Sequence, residues 1–165
     1  MSSERSGSQT AADTARQTAK EQRETTLELQ TPVLVVWDRV LAVPIVGHVD
    51  TKRAQEMNER LLEKIVETQS EIVILDITAV PVVDTSVAKH LLETVSSARL
   101  LGAEVLIVGL TSRIAMTLVH LGVDLAGVVT RTTMAKGLEL AFDRLGFKVV
   151  STQADPAARQ SGTGF

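Results

Sequence analysis

The feature that most constrains the fold is a regular alternation of short apolar runs with longer amphipathic segments. The runs 72–75, 105–108 and 128–130 are short and rich in β-branched residues, as buried strands are. The segments between them place apolar residues at helical spacing, as Val87 and Leu91 do. Strands that alternate with helices imply a largely parallel sheet.

The predicted order of elements is β-β-α-β-α-β-α-β-α. The first two strands, 33–37 and 40–44, are separated by Asp38 and Arg39 alone, which predicts a two-residue hairpin turn. An apolar run at 148–150 suggests a further edge strand. We therefore predict an α/β fold, with a mostly parallel β-sheet, an N-terminal antiparallel hairpin and about four helices.

The polar ends of the chain predict its domain boundaries. Residues 1–30 are rich in Ser, Thr, Gln and charge and are expected to be a tail or linker, with a frayed helix within 10–29. Residues 31–150 hold the apolar segments and are expected to form one domain. Residues 151–165 are expected to be a flexible C-terminal tail.

Composition disfavours several classes of function. The chain of 165 residues has a net charge of −3 and no basic stripe, so nucleic-acid binding is not expected. It has no cysteine, which excludes disulfides and thiolate chemistry. We find no apolar run of about 20 residues and no signal peptide, and therefore expect a cytoplasmic protein that does not enter a membrane.

No pattern of an enzyme or of a cofactor site is present. The sequence has no phosphate-binding glycine loop and no metal-ligand spacing, so no cofactor, metal or catalytic residue is expected. Each of the three histidines is expected to have a solvated or capping role. Asp76 ends the predicted central strand and could be the phosphoacceptor of a receiver-type enzyme. Because the acidic pair and the lysine of such a site are missing, we expect Asp76 to bind backbone N–H groups of the following loop.

The most informative stretch is the sequence Asp84-Thr85-Ser86, between an apolar loop and a helix. A hydroxyl in the first turn of a helix lies among unpaired N–H groups, where a phosphate is tolerated. Phosphorylation would add nearly two negative charges to the surface and could repel a docked partner. Simple capping by Asp84 or Thr85 is the alternative interpretation.

Three segments resemble a known family: LDITAVPVVDTSVAKHLLETV, RLLGAEVLIVGL and IAMTLVHLGVDLAGVVTRTTMAKGL. They are similar to the STAS domain of anti-sigma-factor antagonists, and most of all to the C-terminal domain of RsbR-type stressosome co-antagonists. The resemblance covers about residues 27–145. One departure is the segment TSRIAMT, which lacks the proline and the acidic residue of the family's RPEIAQT.

The resemblance implies a non-catalytic regulatory protein of stress-response signal transduction. Its partner would be a switch serine/threonine kinase with a histidine-kinase-like fold, or an anti-sigma factor. Other STAS proteins would join it in a homo-oligomer or a higher assembly. RsbR-type proteins usually carry an N-terminal sensory domain, whereas only about 30 polar residues precede the domain here, which suggests a scaffold subunit or a stand-alone antagonist.

The family motifs also indicate the residues of the switch. By motif position the phosphorylated residue is Thr85, with Ser86 as an adjacent alternative acceptor and Thr117 as a second site. Asp84, Asp76 and Lys89 are expected to belong to the switch segment or to the partner-binding surface. The alternative function is a small-molecule or nucleotide-binding STAS module without a phosphoswitch, using a strand-end pocket near Asp50, Asp76 and Gly109.

Overall fold

Five strands and five helices make up residues 10–20 and 31–152, the part of the chain that the computed structural model describes. The strands are β1 (Leu34–Trp37), β2 (Val40–Val46), β3 (Ile72–Ala79), β4 (Glu104–Val108) and β5 (Val129–Arg131). The helices are α1 (10–20), α2 (Thr51–Thr68), α3 (Thr85–Leu100), α4 (Ser112–His120) and α5 (Met134–Arg144).

The strands form one sheet in the order β1-β2-β3-β4-β5. Strands β1 and β2 are antiparallel, whereas every other neighbouring pair is parallel. The hairpin turn consists of Asp38 and Arg39, and Arg39 adopts a left-handed φ of 63°. This arrangement confirms the predicted α/β class, the parallel sheet and the N-terminal hairpin.

The strand boundaries correct two expectations. Strand β3 does not end at Asp76 but continues to Ala79, because the backbone still pairs with β2 at Pro44↔Asp76 and Val46↔Ala79. The run 148–150 forms no strand. It pairs with none of the five strands, and its valines lie at the surface, 68% and 71% exposed.

The core has two layers, one on each face of the sheet. On the first face, α2, α3 and α4 pack buried Leu, Ile, Val and Ala side chains against β2, β3 and β4. On the second face, α5 is the helix that packs on the sheet among the elements described above. It lies close because Gly137 faces β4: a Cβ there would come within 2.6 Å of Val108 Cγ1. Alternate residues of a strand therefore pack into different layers, and β3 contributes side chains to both.

The four helices expected within the domain are present, and α1 is additional. Helix α1 falls inside the predicted frayed helix, and all its residues are exposed. The other residues of the predicted tails, 1–9, 21–30 and 153–165, lie outside the described part of the chain.

Candidate functional site

The loop 80–83 connects β3 to α3 and holds the start of that helix in place. Val80 and Val83 are buried in the core, each about 3% exposed. Between them Pro81 is exposed and Val82 is 59% exposed. The loop is therefore anchored at both ends and presents an apolar surface in the middle.

Asp84 is the N-cap of α3. It has extended backbone angles, and its Oδ1 accepts a hydrogen bond of 2.8 Å from the backbone N–H of Val87. Its negative charge also lies at the positive end of the helix dipole. The helix thus begins at Thr85, and the cap does not depend on the Thr85 hydroxyl.

Thr85 is exposed at the first helical position of α3. Within residues 31–152 its side chain makes no hydrogen bond. It lies one turn from Lys89 on the same face, and both line a groove of about 570 Å³ between α3 and the C-terminal end of α4. The Lys89 side chain is 74% exposed, with its Nζ 4.0 Å from Glu93 Oε1. The Thr85 hydroxyl is therefore accessible and has a cation nearby.

Ser86 belongs to a different set of contacts. Its Oγ lies 3.4 Å from His90 Nε2, which is also 3.3 Å from Thr51 Oγ1 at the start of α2. The other ring nitrogen, His90 Nδ1, lies 3.5 Å from Glu93 Oε2. A carboxylate accepts only, so Glu93 favours the tautomer with the proton on Nδ1 and leaves Nε2 to accept from a hydroxyl.

This arrangement corrects the expectation of a solvated His90, because its side chain is only 11% exposed. His90 instead links the N-terminal ends of α2 and α3. The spacing of Ser86, His90 and Glu93, four and then three residues apart, places them on one helix face and could have indicated the contact from sequence. The position of Thr51 could not be inferred in that way, since it depends on how α2 packs.

Asp76 has a local structural role. Its Oδ1 accepts hydrogen bonds from the backbone N–H of Thr78 at 2.9 Å and from Thr78 Oγ1 at 2.5 Å. Asp76 thus binds a backbone N–H group as expected, but the donor lies within β3 and not in the loop that follows the strand. Thr78 in turn lies directly against Gly109, where a Cβ atom would collide with the Thr78 backbone.

Asp50 likewise serves its own helix, because its Oδ1 accepts a hydrogen bond of 2.7 Å from the backbone N–H of Arg53. Two of the three residues proposed for a ligand pocket are thus engaged in local contacts. Among the described residues, no group of three or more acidic or histidine side chains is placed to hold a metal ion. In the same part of the chain, no helix combines the length and apolarity needed to cross a membrane.

Thr117 lies on α4 next to the loop 80–83. Its Oγ1 donates a hydrogen bond of 2.9 Å to the backbone carbonyl of Arg113. Together with Arg113 and Ile114 it lines a groove of about 380 Å³ whose other wall is the loop. The structure therefore brings Thr117 to the segment that leads into Thr85, although the two residues line separate grooves.

A five-stranded sheet with an N-terminal hairpin and a capped helix after its central strand matches a known family. Residues 31–135 match the sequence profile of the STAS domain. The chain belongs to the STAS domain family. The resemblance predicted from the sequence motifs is thereby confirmed.

Sequence relatives of the chain, and solved structures similar to it, agree with this assignment. The RsbT co-antagonist protein RsbRA of Bacillus subtilis is 42% identical over 124 residues, which are 75% of this chain and 45% of that protein. The structure of a single-residue variant of Moorella thermoacetica RsbS is 30% identical and has a TM-score of 0.63 over 72% of this chain and 99% of that one. A structure described as the molecular architecture of the stressosome, a signal integration and transduction hub, is 30% identical, with a TM-score of 0.58 over 70% and 98%.

The STAS chain therefore spans less than half the length of its curated RsbR relative but nearly all of the RsbS chain. Its relatives are regulatory proteins by name, co-antagonists and parts of a signalling assembly. This similarity supports a regulatory role for the chain.

Proposed function

We propose that this chain is a non-catalytic, cytoplasmic regulatory protein that binds a switch serine/threonine kinase, or an anti-sigma factor, and releases it on phosphorylation of Thr85. The observation that carries the proposal is the division of roles at the start of α3. Asp84 caps the helix, while the adjacent Thr85 is exposed and its hydroxyl makes no hydrogen bond within residues 31–152. Modification of Thr85 can change the surface without disturbing the helix beneath it.

The surface around Thr85 suits a protein partner. Leu121, which lines the same groove as Thr85, is 41% exposed, and Val82 of the preceding loop is 59% exposed. Apolar side chains exposed together beside a modifiable hydroxyl are typical of a docking surface. The kinase with a histidine-kinase-like fold that the family resemblance implies would bury these side chains.

Phosphorylation of Thr85 would act through charge. The phosphate adds nearly two negative charges beside the carboxylate of Asp84, on a surface whose docked partner would have to bury them. Unpaired N–H groups of the first turn and the nearby Lys89 would stabilise the phosphate in the free protein. The two effects together favour the dissociated state.

Ser86 and Thr117 complete the proposed set of acceptors. Ser86 is an adjacent alternative, but its hydroxyl is held near His90, whereas that of Thr85 is not. Thr117 is proposed as a second site because it shares a groove with the loop 80–83. Asp84 and Lys89 are proposed to shape the partner-binding surface, and Asp76 to support it from below through Thr78. Other STAS proteins are proposed as assembly partners.

The test measures binding to an RsbT-type kinase by titration calorimetry. Thr85→Ala should bind like the unmodified protein and resist release by ATP, whereas Thr85→Glu should bind at least about tenfold more weakly. Ser86→Ala is the matched control, one residue away, and should be released by ATP as the natural sequence is. Peptide mass spectrometry should find the phosphate on Thr85. If both Thr85 variants bind and release the kinase like the natural sequence, the proposed switch is wrong.

A further inference from the structure

Arg113 and Thr117 lie one turn apart on α4 and share a groove. The Thr117 hydroxyl donates to the Arg113 backbone carbonyl, which places its oxygen along the same helix face as the Arg113 side chain. Within the described part of the chain, the Arg113 guanidinium makes no hydrogen bond or ion pair. It is an exposed cation with all its donors available to an anion.

The electrostatic surroundings of Thr117 are simple. Arg113 is the charged residue among those that line the groove; the others are Val80, Pro81, Val82, Val83, Thr111, Ile114 and Thr117 itself. One turn further along α4, His120 uses Nδ1 to contact the Met116 carbonyl at 2.8 Å. Helix α4 has no acidic residue in its first turn. An anion on Thr117 would therefore meet a cation and an apolar wall, with no carboxylate of the groove opposing it.

We propose that Arg113 is the built-in counter-ion of a phosphate on Thr117. The inference rests on the proposed function, in which Thr117 is a modification site. Phosphorylation replaces the hydroxyl hydrogen that Thr117 donates to the Arg113 carbonyl, so that contact is lost and the side chain turns away from the helix backbone. The guanidinium of Arg113, one turn back, lines the same groove and can bind two phosphate oxygens at once.

The pair is a point at which this sequence differs from the family segment that it resembles. The family segment RPEIAQT has an acidic residue at the position that Arg113 occupies in TSRIAMT. A carboxylate there would repel the phosphate, whereas the guanidinium attracts it. The resulting ion pair would lie at the groove formed with the loop 80–83. Phosphorylation of Thr117 would therefore change the charge next to the segment that leads into Thr85.

The test uses the full chain with phosphothreonine incorporated at position 117 during synthesis. The second pKa of the phosphate is measured by a phosphorus NMR titration, because a nearby positive charge stabilises the dianion and lowers this pKa. We expect the pKa to be lower by about 0.5 than in the Arg113→Gln variant, roughly a threefold change in proton affinity. Arg113→Lys should lie between the two, since lysine keeps the charge but not the paired donors.

The matched control is phosphothreonine at position 85, whose pKa should be the same with Arg113 and with Arg113→Gln. Circular dichroism checks that each variant is folded, which is expected because Arg113 is exposed. Equal pKa values for the phosphate at 117 in the two backgrounds would overturn the assignment of Arg113. Absence of phosphate on Thr117 in protein isolated from cells would instead refute the proposed modification, without affecting the titration result.

Discussion

Asp84 caps α3, whereas the neighbouring Thr85 is the proposed phosphorylation site. Variants at these two positions should therefore differ in their free energy of unfolding. Asp84→Ala removes the acceptor of the 2.8 Å hydrogen bond from Val87 N and leaves that N–H unpaired. Thr85→Ala removes a hydroxyl that makes no hydrogen bond within residues 31–152. Asp84→Asn keeps an acceptor oxygen but removes the charge. These three variants therefore separate the hydrogen bond, the charge and the modifiable hydroxyl.

The magnitudes follow from the geometry of the cap. Loss of an N-cap costs about 1 kcal/mol, and loss of a carboxylate from the N-terminal end of an exposed helix costs about 0.5 kcal/mol more. Asp84→Ala should thus lower the free energy of unfolding by about 1.5 kcal/mol and Asp84→Asn by about 0.5 kcal/mol. Thr85→Ala should stay within about 0.5 kcal/mol of the natural sequence, as exposed substitutions usually do.

Urea unfolding followed by far-UV circular dichroism measures these differences, because the slope with denaturant should be shared by all four proteins. Asp84→Ala should also lower the Tm by about 5 °C. If Thr85→Ala lowers the free energy of unfolding as much as Asp84→Ala does, the reasoning is refuted, because the Thr85 hydroxyl would then support the helix. The switch residue would then not be free of a structural role.

Further predictions concern packing away from α3. Gly102 and Gly109 both have a left-handed φ, 84° and 83°, but a Cβ at Gly102 meets open space and one at Gly109 collides with the Thr78 backbone. Gly102→Ala should therefore cost about 1 kcal/mol and Gly109→Ala more than about 2 kcal/mol in thermal unfolding; equal losses would contradict the close approach. The Trp37 ring meets Phe142 edge to face at a centroid distance of 5.2 Å. Trp37→Leu should cost about 1 kcal/mol in urea unfolding, and a loss below about 0.3 kcal/mol would show that the ring contact is not stabilising.

Periodicity predicted the topology because each element must bury one face. The β-branched runs became parallel strands, the turn at Asp38 and Arg39 formed as expected, and helices follow where helical spacing predicted them. The sequence could not decide whether Asp84 or Thr85 caps α3, since both residue types are good caps. The backbone decides it: Asp84 is extended and Thr85 is helical.

The errors arise where tertiary contacts determine the outcome. Asp76 looked like the end of a strand because aspartate is uncommon within strands. Its carboxylate is satisfied by Thr78, so the backbone remains free to pair with β2 as far as Ala79. The proximity of Thr117 to the loop 80–83 depends on how α4 packs on the sheet, which no local pattern of residues contains.

The two layers of the core also have a consequence for spectroscopy. The chain has a single tryptophan, and Trp37 contacts Phe142 and Phe147 on the α5 side of the sheet, whereas Thr85 belongs to a helix on the other side. Intrinsic fluorescence therefore reports on the α5 layer. A change in Trp37 emission when a partner binds at α3 would mean that the event is transmitted through the sheet, and constant emission would mean that it is confined to one layer.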